Sequence, residues 1–450
     1  MNPKHLFSCC SMLALLIGSQ TVVADITDAQ RAYQEQRHEQ AFSEFKALAQ
    51  LGSDSARHHL ATMYMHGHAT DVDLDQAYGW AKLVNYDIHP EWNNITEQLR
   101  SNMNDQELAQ AEQVAQEMQQ QYGDVAIASQ WAPEPSVAED ASGSKETDFE
   151  IQIIHRQAPK YPRKEMIYGT QGWVTVQFDV FPDGSTRNPV VIDSLPEGVF
   201  DEVTLDAIAG FKFAVDFKPG VEPYPVCTTQ SIQYTLKGLD SPEMKNTIQQ
   251  RIASLKSKAD QGNPTAQYYY AMTASDLSLV KDQARMNKAE MNQWLYQAAQ
   301  NGQTDAMYQL GQHLMTGKGA KQDKPKGMAW VILAANQGHA RAARLASQHP
   351  KLANQVNGSN HSAAHWLKAA AENGHLDSQL EYAHLLAQDG DPNQTEAAWL
   401  YLNKFTKERD KSIKYYQTAA LLYQLEGKDK QAKKAQKKAN KMAKKLGWEI

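Results

Sequence analysis

Cysteine is scarce. Three occur in 450 residues, and Cys9 and Cys10 both lie near the N-terminus, so Cys227 stands alone in the body of the chain. Paired-cysteine chemistry is thereby excluded there, whether a disulfide framework, a zinc ribbon or a redox pair. Long apolar runs are also missing. Beyond the N-terminus no stretch reaches the roughly 18 residues of a spanning helix, so no internal membrane span is expected. A strong charge of either sign is absent. With a net charge of −7 and 22% charged residues, the mildly acidic total argues against general nucleic-acid binding. No Gly-x-Ser-x-Gly, His-Glu-x-x-His or phosphate-cradling glycine loop occurs. We therefore expect no enzyme, no cofactor and no metal centre.

The first 24 residues have a different character. Lys4 and His5 give a short positive region, and Met12 to Gly18 form an apolar core. Val22-Val23-Ala24 then places small residues before Asp25, which predicts a secretory signal over 1–24 cut between Ala24 and Asp25. Cleavage leaves Cys227 as the sole cysteine, expected as a buried thiol. An uncleaved segment would instead anchor the protein in a membrane.

Helical patterning dominates residues 27–122. Residues 27–67 read as two helices, one with Ala41, Phe45, Leu48 and Ala49 on its apolar face and the next with Ala56, Leu60 and Tyr64. Further helix is predicted over 74–84 and 91–122. The pattern stops over 124–148, where Trp131-Ala132-Pro133-Glu134-Pro135 and Ala141-Ser142-Gly143-Ser144 read as a flexible linker. His58, His59, Met63, Met65, His66 and His68 form the one metal-like group. Adjacent residues on a helix diverge, so solvated or capping histidines are expected.

From Pro242 onward a repeat sets the architecture. The box Ala-x-x-Gly-x-x-x-Ala occurs at Ala259/Gly262/Ala266, Ala299/Gly302/Ala306 and Ala335/Gly338/Ala342, with Ser378 closing the next at Ala371/Gly374. It also appears earlier, at Ala49/Gly52/Ala56. Gly302, Gly338 and Gly374 are 36 residues apart, and Trp294, Trp330 and Trp366 each precede their glycine by eight. Small alanines let helices approach closely, glycine turns the chain, and tryptophan fills the space between layers. One such hairpin cannot bury its own apolar face, so neighbours must stack into a solenoid. With Met307-Tyr308-x-Leu310-Gly311 and Gly317-Lys318-Gly319, these boxes resemble the Sel-one-like repeats, relatives of the tetratricopeptide repeats. The resemblance covers about 28–90 and 250–405 and implies a non-catalytic interaction scaffold.

Between the helical blocks lies a strand-rich stretch, Pro159 to Leu236. Val174, Val176, Phe178 and Val180 alternate with Trp173, Thr175, Gln177 and Asp179, the period of a strand with one buried face, and Pro182-Asp183-Gly184 supplies a hairpin turn. Pro189 weakens the second hairpin strand or places it at an edge. Phe200, Val203, Ala207 and Phe211 keep helical spacing, and Val226 to Leu236 alternate as a last strand. Two helices on one face of a small antiparallel sheet are expected. Tyr161-Pro162, Gly172-x-Val174-x-Val176-x-Phe178-Asp179-Val180-x-Pro182-Asp183-Gly184, Ser194-x-Pro196, Phe200-Asp201 and Phe211-Lys212-Phe213 together resemble the C-terminal domain of the TonB family. That resemblance implies capture of a short partner segment by strand addition to the last strand, here Thr228, Gln230, Ile232, Gln233 and Tyr234 with Tyr161 and Pro162 nearby.

The expected organisation is a signal peptide (1–24), an N-terminal Sel-one-like region (25–123), a linker (124–148), a TonB-like α+β domain (149–238), Sel-one-like repeats (239–427) and a Lys-rich helix (428–450). The fold class is mainly α, a helical-repeat solenoid carrying a central α+β domain. The expected function is an exported, periplasmic, non-catalytic adaptor for Gram-negative envelope proteins, outer-membrane TonB-dependent transporters among them. The alternative is an anchored TonB-type energy transducer for siderophore or nutrient uptake. The Lys-rich helix reads as a cap on the last repeat, or as a contact with an anionic membrane surface.

Overall fold

The computed structural model describes residues 25–87, 92–135, 149–220, 225–236, 242–275, 286–405 and 412–446. The expected signal and most of the expected linker lie outside them. The N-terminal block comprises α1 (Ile26–Gln34), α2 (His38–Ala49), α3 (Asp54–His66), α4 (Leu74–Lys82), α5 (Ile95–Asn102), α6 (Asp105–Tyr122) and α7 (Asp124–Trp131). The central domain comprises β1 (Phe149–His155), α8 (Arg163–Tyr168), β2 (Gly172–Val180), β3 (Thr186–Leu195), α9 (Asp201–Ile208), β4 (Lys212–Phe217) and β5 (Val226–Tyr234). The second helical block runs through α10 (Pro242–Asp260), α11 (Pro264–Ser275), α12 (Lys288–Gln300), α13 (Thr304–Thr316), α14 (Lys324–Asn336) and α15 (Ala340–Gln348). It continues with α16 (Pro350–Asn357), α17 (Ala363–Glu372), α18 (Leu376–Asp389), α19 (Pro392–Leu402), α20 (Ile413–Leu425) and α21 (Asp429–Leu446). No helix among the described residues is long and apolar enough to cross a membrane.

The solenoid arises from the repeat box. Gly52, Gly262, Gly302, Gly338 and Gly374 all sit at φ between 82° and 97°, a region that only glycine enters without strain. Each turns the chain from one helix into the next, and the flanking Ala49, Ala56, Ala299, Ala306 and Ala342 are fully buried. Trp330 and Trp366 fill the layers between hairpins, while Trp294 is half-buried. Helices α13 and α14 cross closely. A Cβ on Gly327 would lie 2.5 Å from the Gly311 carbonyl oxygen, and one on Gly311 would lie 2.8 Å from that of Gly327. Backbone meets backbone there.

The N-terminal block differs in detail from the sequence expectation. Three helices rather than two occupy its start, and the single helix expected over 91–122 is broken at Asn104. That residue caps α6 in a reciprocal box with Glu107, since each side chain accepts from the other's backbone N–H. The start of the expected linker is helical as well. Residues 124–131 form α7, whose Trp131 is buried edge-on against Trp330 at 4.9 Å, with its carbonyl accepting from Trp330 Nε1 at 3.0 Å. The proline-rich composition there hid a tertiary contact that local pattern cannot show. Arg57 fixes the start of α7, its buried guanidinium donating to Asp54, Asp124 and the carbonyls of Leu83 and Tyr122 at 2.7–2.9 Å.

The two helical blocks are therefore one body. Leu51, Ile127 and Trp131 share a core with α11–α17, and Gln300 Nε2 donates to the Leu51 carbonyl at 2.9 Å. Gly52 serves this docking too, because a Cβ there would fall 2.5 Å from Gln300 Nε2 and 2.9 Å from Ile127.

The central domain contains a three-stranded antiparallel sheet, ordered β3-β2-β5, and a separate ribbon of β1 on β4. One face of β2, with Val174, Val176, Phe178 and Val180, packs on Phe200, Ala207 and Ile208 of the α9 segment. Of the two helices expected on the sheet, α9 is the one that packs. In α8 no residue is buried, and Met166, Ile167 and Tyr168 are exposed.

Substituting Gly327 by Ala should destabilise the chain. Alanine improves helix propensity by about 1 kcal/mol, but the new Cβ would force the helices apart, and overpacking of this kind costs about 1–3 kcal/mol. A lowered melting midpoint is the expected result, read by circular dichroism.

Candidate functional site

The alternating polar residues of β2 were expected to face solvent. Instead every residue of β2 is buried, and its polar face is seated on the second helices of successive repeat hairpins, α11, α13, α15 and α18. Two anchors fix the ends of this seat. Toward α10 and α11, the buried Asp193 of β3 accepts from Trp173 Nε1 (2.9 Å), Thr273 Oγ1 (2.9 Å) and Arg251 (3.1 Å). Toward α15 and α18, Arg341 donates to Cys227 Sγ at 3.2 Å and to the carbonyls of Gln177 and Asn188, and lies 3.6 Å from Asp179. Arg187 donates to Asp377 at 2.9 Å, and Asn188 Nδ2 bridges Asp179 (2.8 Å) and Asp377 (2.6 Å).

Between the anchors a polar chain enters the solenoid. Gln177 Nε2 donates to Gln309 Oε1 at 3.2 Å, and Gln309 Nε2 lies 3.0 Å from His313 Nε2. His313 Nδ1 is 2.6 Å from Asn292 Oδ1, and Asn292 Nδ2 donates to the Lys318 carbonyl at 2.8 Å. Burial holds the His313 imidazole well below its usual pKa. A neutral ring that accepts at Nε2 and donates from Nδ1 satisfies both neighbours.

Burial alone would raise the Asp179 carboxyl. The Arg341 guanidinium, then His375 and Asn188, outweigh it and hold the group below the ordinary carboxylate range. Burial likewise pushes the Cys227 thiol up to about 11 against the opposing pull of Arg341. Cys227 is thus an inert, protonated thiol at neutral pH, as a structural cysteine should be.

The candidate recognition edge lies on the same sheet. β5 pairs with β2 over Val226–Tyr234 without a register shift and has no second strand partner among the described residues. Its even-numbered side chains, Thr228, Gln230, Ile232 and Tyr234, share the α9 face, and Gln233 shares the solenoid face with Trp173 opposite it. Tyr234 is buried, stacks on Phe200 at 4.1 Å and bonds Thr204 at 2.7 Å, so only its main chain faces outward. Tyr161 packs edge-on against Phe200 and Tyr234 and donates to the Thr170 carbonyl, while Pro162 precedes α8. Tyr161 thus supports the end of β5 from within. At its middle, Arg156 donates to Gln230 Oε1 at 3.3 Å.

The opposite edge is guarded. Along β3, Pro189 lacks an N–H, Asn188 sits at φ 50°, and two register shifts interrupt its ladder with β2. Bulges and proline are the devices that blunt an edge. β5 has neither over its length of about 30 Å.

The N-terminal histidines pack as rings. His58 stacks on Trp92, His59 on Phe45 and His68 on His38. No group of three His, Cys, Asp or Glu side chains placed to hold a metal occurs among the described residues.

Sequence reasoning missed the seat, although a signal was present. Asp305, Arg341 and Asp377 occupy one repeat position at the 36-residue spacing and alternate in charge. The docked sheet accounts for two of the three, with Arg341 beside Asp179 and Asp377 paired to Arg187, while Asp305 pairs with His339 inside the solenoid.

The sheet with β5 at its edge is thus held on α11, α13, α15 and α18 of the solenoid. Residues 157–236 match the Gram-negative bacterial TonB protein C-terminal, and residues 54–83, 304–339, 354–375 and 405–423 match the Sel1 repeat. The chain thus carries a TonB C-terminal domain flanked by Sel1 repeats, both protein-interaction families. The solution NMR structure of the Pseudomonas aeruginosa TonB CTD is similar at 24% identity, covering 21% of this chain and 93% of that one, with a TM-score of 0.17. The crystal structure of a Sel1 repeat protein from Oxalobacter formigenes is similar at 21% identity, covering 44% and 83%, with a TM-score of 0.33. No curated protein matches the chain.

Replacing Arg341 by Met should destabilise the seat strongly, because Asp179 is left buried without its counter-charge; such losses run to about 3–5 kcal/mol. Denaturant titration of both proteins measures it. The pH dependence has a definite sign. A carboxyl whose folded pKa is depressed contributes stability above its unfolded pKa of about 3.9, lost as pH falls through the folded value. The stability gap between the wild type and Asp179→Asn should therefore stay constant above about pH 5 and narrow below about pH 4.

Proposed function

We propose that this protein is an exported, non-catalytic adaptor that captures an extended segment of an envelope protein by adding it as a strand to β5. The observation that carries this reading is the contrast between the two sheet edges: β3 is blunted by Pro189 and two register shifts, and β5 is regular over nine paired residues. Main-chain bonds along such an edge supply affinity, and alternate side chains supply selectivity. Just past the C-terminal end of β5, Leu236 is exposed and its N–H donates to Gln171 Oε1 at 3.2 Å. Its side chain offers an apolar contact to a segment added at the edge.

In this reading the solenoid acts in cis. The helices α11, α13, α15 and α18 are occupied by the sheet, so they orient β5 rather than recruit partners themselves. Export rests on the features of residues 1–24, and cleavage after Ala24 would leave Asp25 in place as the N-cap of α1, accepting from the Thr27 N–H at 2.8 Å. Envelope proteins, outer-membrane transporters among them, are the partner class that fits the TonB C-terminal domain. Determining the mature N-terminus checks the cleavage step, since a start at Met1 would contradict it and leave the segment as an anchor.

The edge itself is tested with adjacent variants. Donors alternate between the two sides of a strand, so of Thr229→Pro and Gln230→Pro one removes an outward N–H and the other breaks the ladder with β2. A photo-crosslinking residue at position 232 should give a discrete adduct with an envelope protein in intact cells. That adduct should vanish in the proline variant that retains the wild-type melting curve. Adducts of equal yield in both proline variants would reject strand addition.

A further inference from the structure

The C-terminal helix carries a surface that the β5 edge does not explain. Residues 428–446 hold nine lysines against Asp429, a net charge of +8, which leaves −15 on the remaining 431 residues (−7 minus +8). The charge is therefore segregated, and α21 arranges it further. At about 100° per residue, Lys430, Lys433, Lys434, Lys437, Lys441 and Lys444 fall within a sector roughly 100° wide. All six are exposed. Across the helix Ala432, Ala435, Ala439 and Ala443 are buried, Ala435 in the core with α20 and Ala439 and Ala443 against Ile413 and Tyr416. None of the six lysines forms an ion pair among the described residues; the nearby pair is Lys428 with Glu426 at 2.9 Å.

Burial of the alanine face alone would gather polar residues in this sector, but a face that only solvated a capping helix would be expected to include acids in i,i+4 pairs, as Lys256 does with Asp260. We infer that this stripe docks on the anionic headgroups of a lipid bilayer, lying flat and held by charge alone. Six ammonium groups along one straight helix extend over about 21 Å, a line that meets a planar array of phosphates along its whole length. The apolar side is already spent on α20, so insertion between acyl chains is not part of the contact. The sector contains no arginine for bidentate phosphate grips and no aromatic for base stacking. The acidic remainder of the chain opposes wrapping by a long flexible polyanion and tolerates contact only at this end of the solenoid.

The test is vesicle co-sedimentation. The full chain, and in parallel the chain beginning at Asp25 so that the apolar N-terminus is not what is measured, is mixed with vesicles containing phosphatidylglycerol or with neutral phosphatidylcholine vesicles. Binding is expected to the anionic vesicles only, in both proteins, and to fall steeply between low and 0.5 M salt, where the Debye length shrinks to about 4 Å. Each lysine near an anionic surface is worth roughly fivefold in partitioning. A Lys433→Gln, Lys434→Gln, Lys437→Gln, Lys441→Gln variant should thus lose at least about a hundredfold, with its helical circular dichroism unchanged. Lys438, which packs over the Tyr416 ring, is left in place. Equal binding to neutral vesicles would overturn the proposal, as would unaltered partitioning of a folded quadruple variant. Full displacement from the vesicles by duplex DNA at equal phosphate concentration would reassign the stripe to nucleic acid.

Discussion

The arrangement of this molecule depends on how a sheet with two buried faces is satisfied. A small antiparallel sheet ordinarily gives one face to its own helix and the other to water. Here the second face carries Trp173, Thr175, Gln177 and Asp179, and each is buried against the solenoid. Buried polar groups are tolerable only when bonded. The repeat helices meet that demand with Gln309 for Gln177 and Arg341 for Asp179, while Trp173 is met within the sheet by Asp193, which Arg251 and Thr273 secure. Buried ion pairs contribute little net stability over an apolar surface of the same shape. What they contribute is position: the sheet fits the solenoid in one orientation, which fixes where β5 points.

Chain connectivity makes sense on the same ground. The central domain is inserted between α7 and α10, yet the helical blocks on either side share a core through Leu51, Ile127 and Trp131. An inserted domain tethered at both ends and gripped along one face has little freedom to swing. An edge strand held this way is pre-ordered, so the proposed strand addition would lose less ordering entropy on binding.

Much of this was legible in the sequence, and the parts that were not share a cause. The glycine–alanine box, its 36-residue spacing and the tryptophan position are local constraints of a helix turn, and the positive φ values at Gly302, Gly338 and Gly374 result from them. The β2–β3 hairpin and the β5 strand were likewise visible as two-residue alternation. The same alternation misled on the environment of Thr175, Gln177 and Asp179, because a polar face looks alike whether water or a satisfied interface covers it. Trp173 on that face, and the charge alternation of Asp305, Arg341 and Asp377, were the residues that departed from the water-facing expectation. Helix α7 was hidden for a related reason: the pull on Trp131 comes from Trp330, 199 residues away.

The central claim is that β2 is sealed on both faces by the solenoid and α9 while β5 presents its outer side for pairing. Residue-level amide hydrogen exchange on the intact chain tests this directly. The account predicts uniformly slow exchange along 172–180 and an alternating pattern along 226–234, in which every second amide exchanges far faster than its neighbours. Uniform protection along 226–234 would show that the edge is already covered. Fast exchange along 172–180 would show that the sheet is not seated on the solenoid.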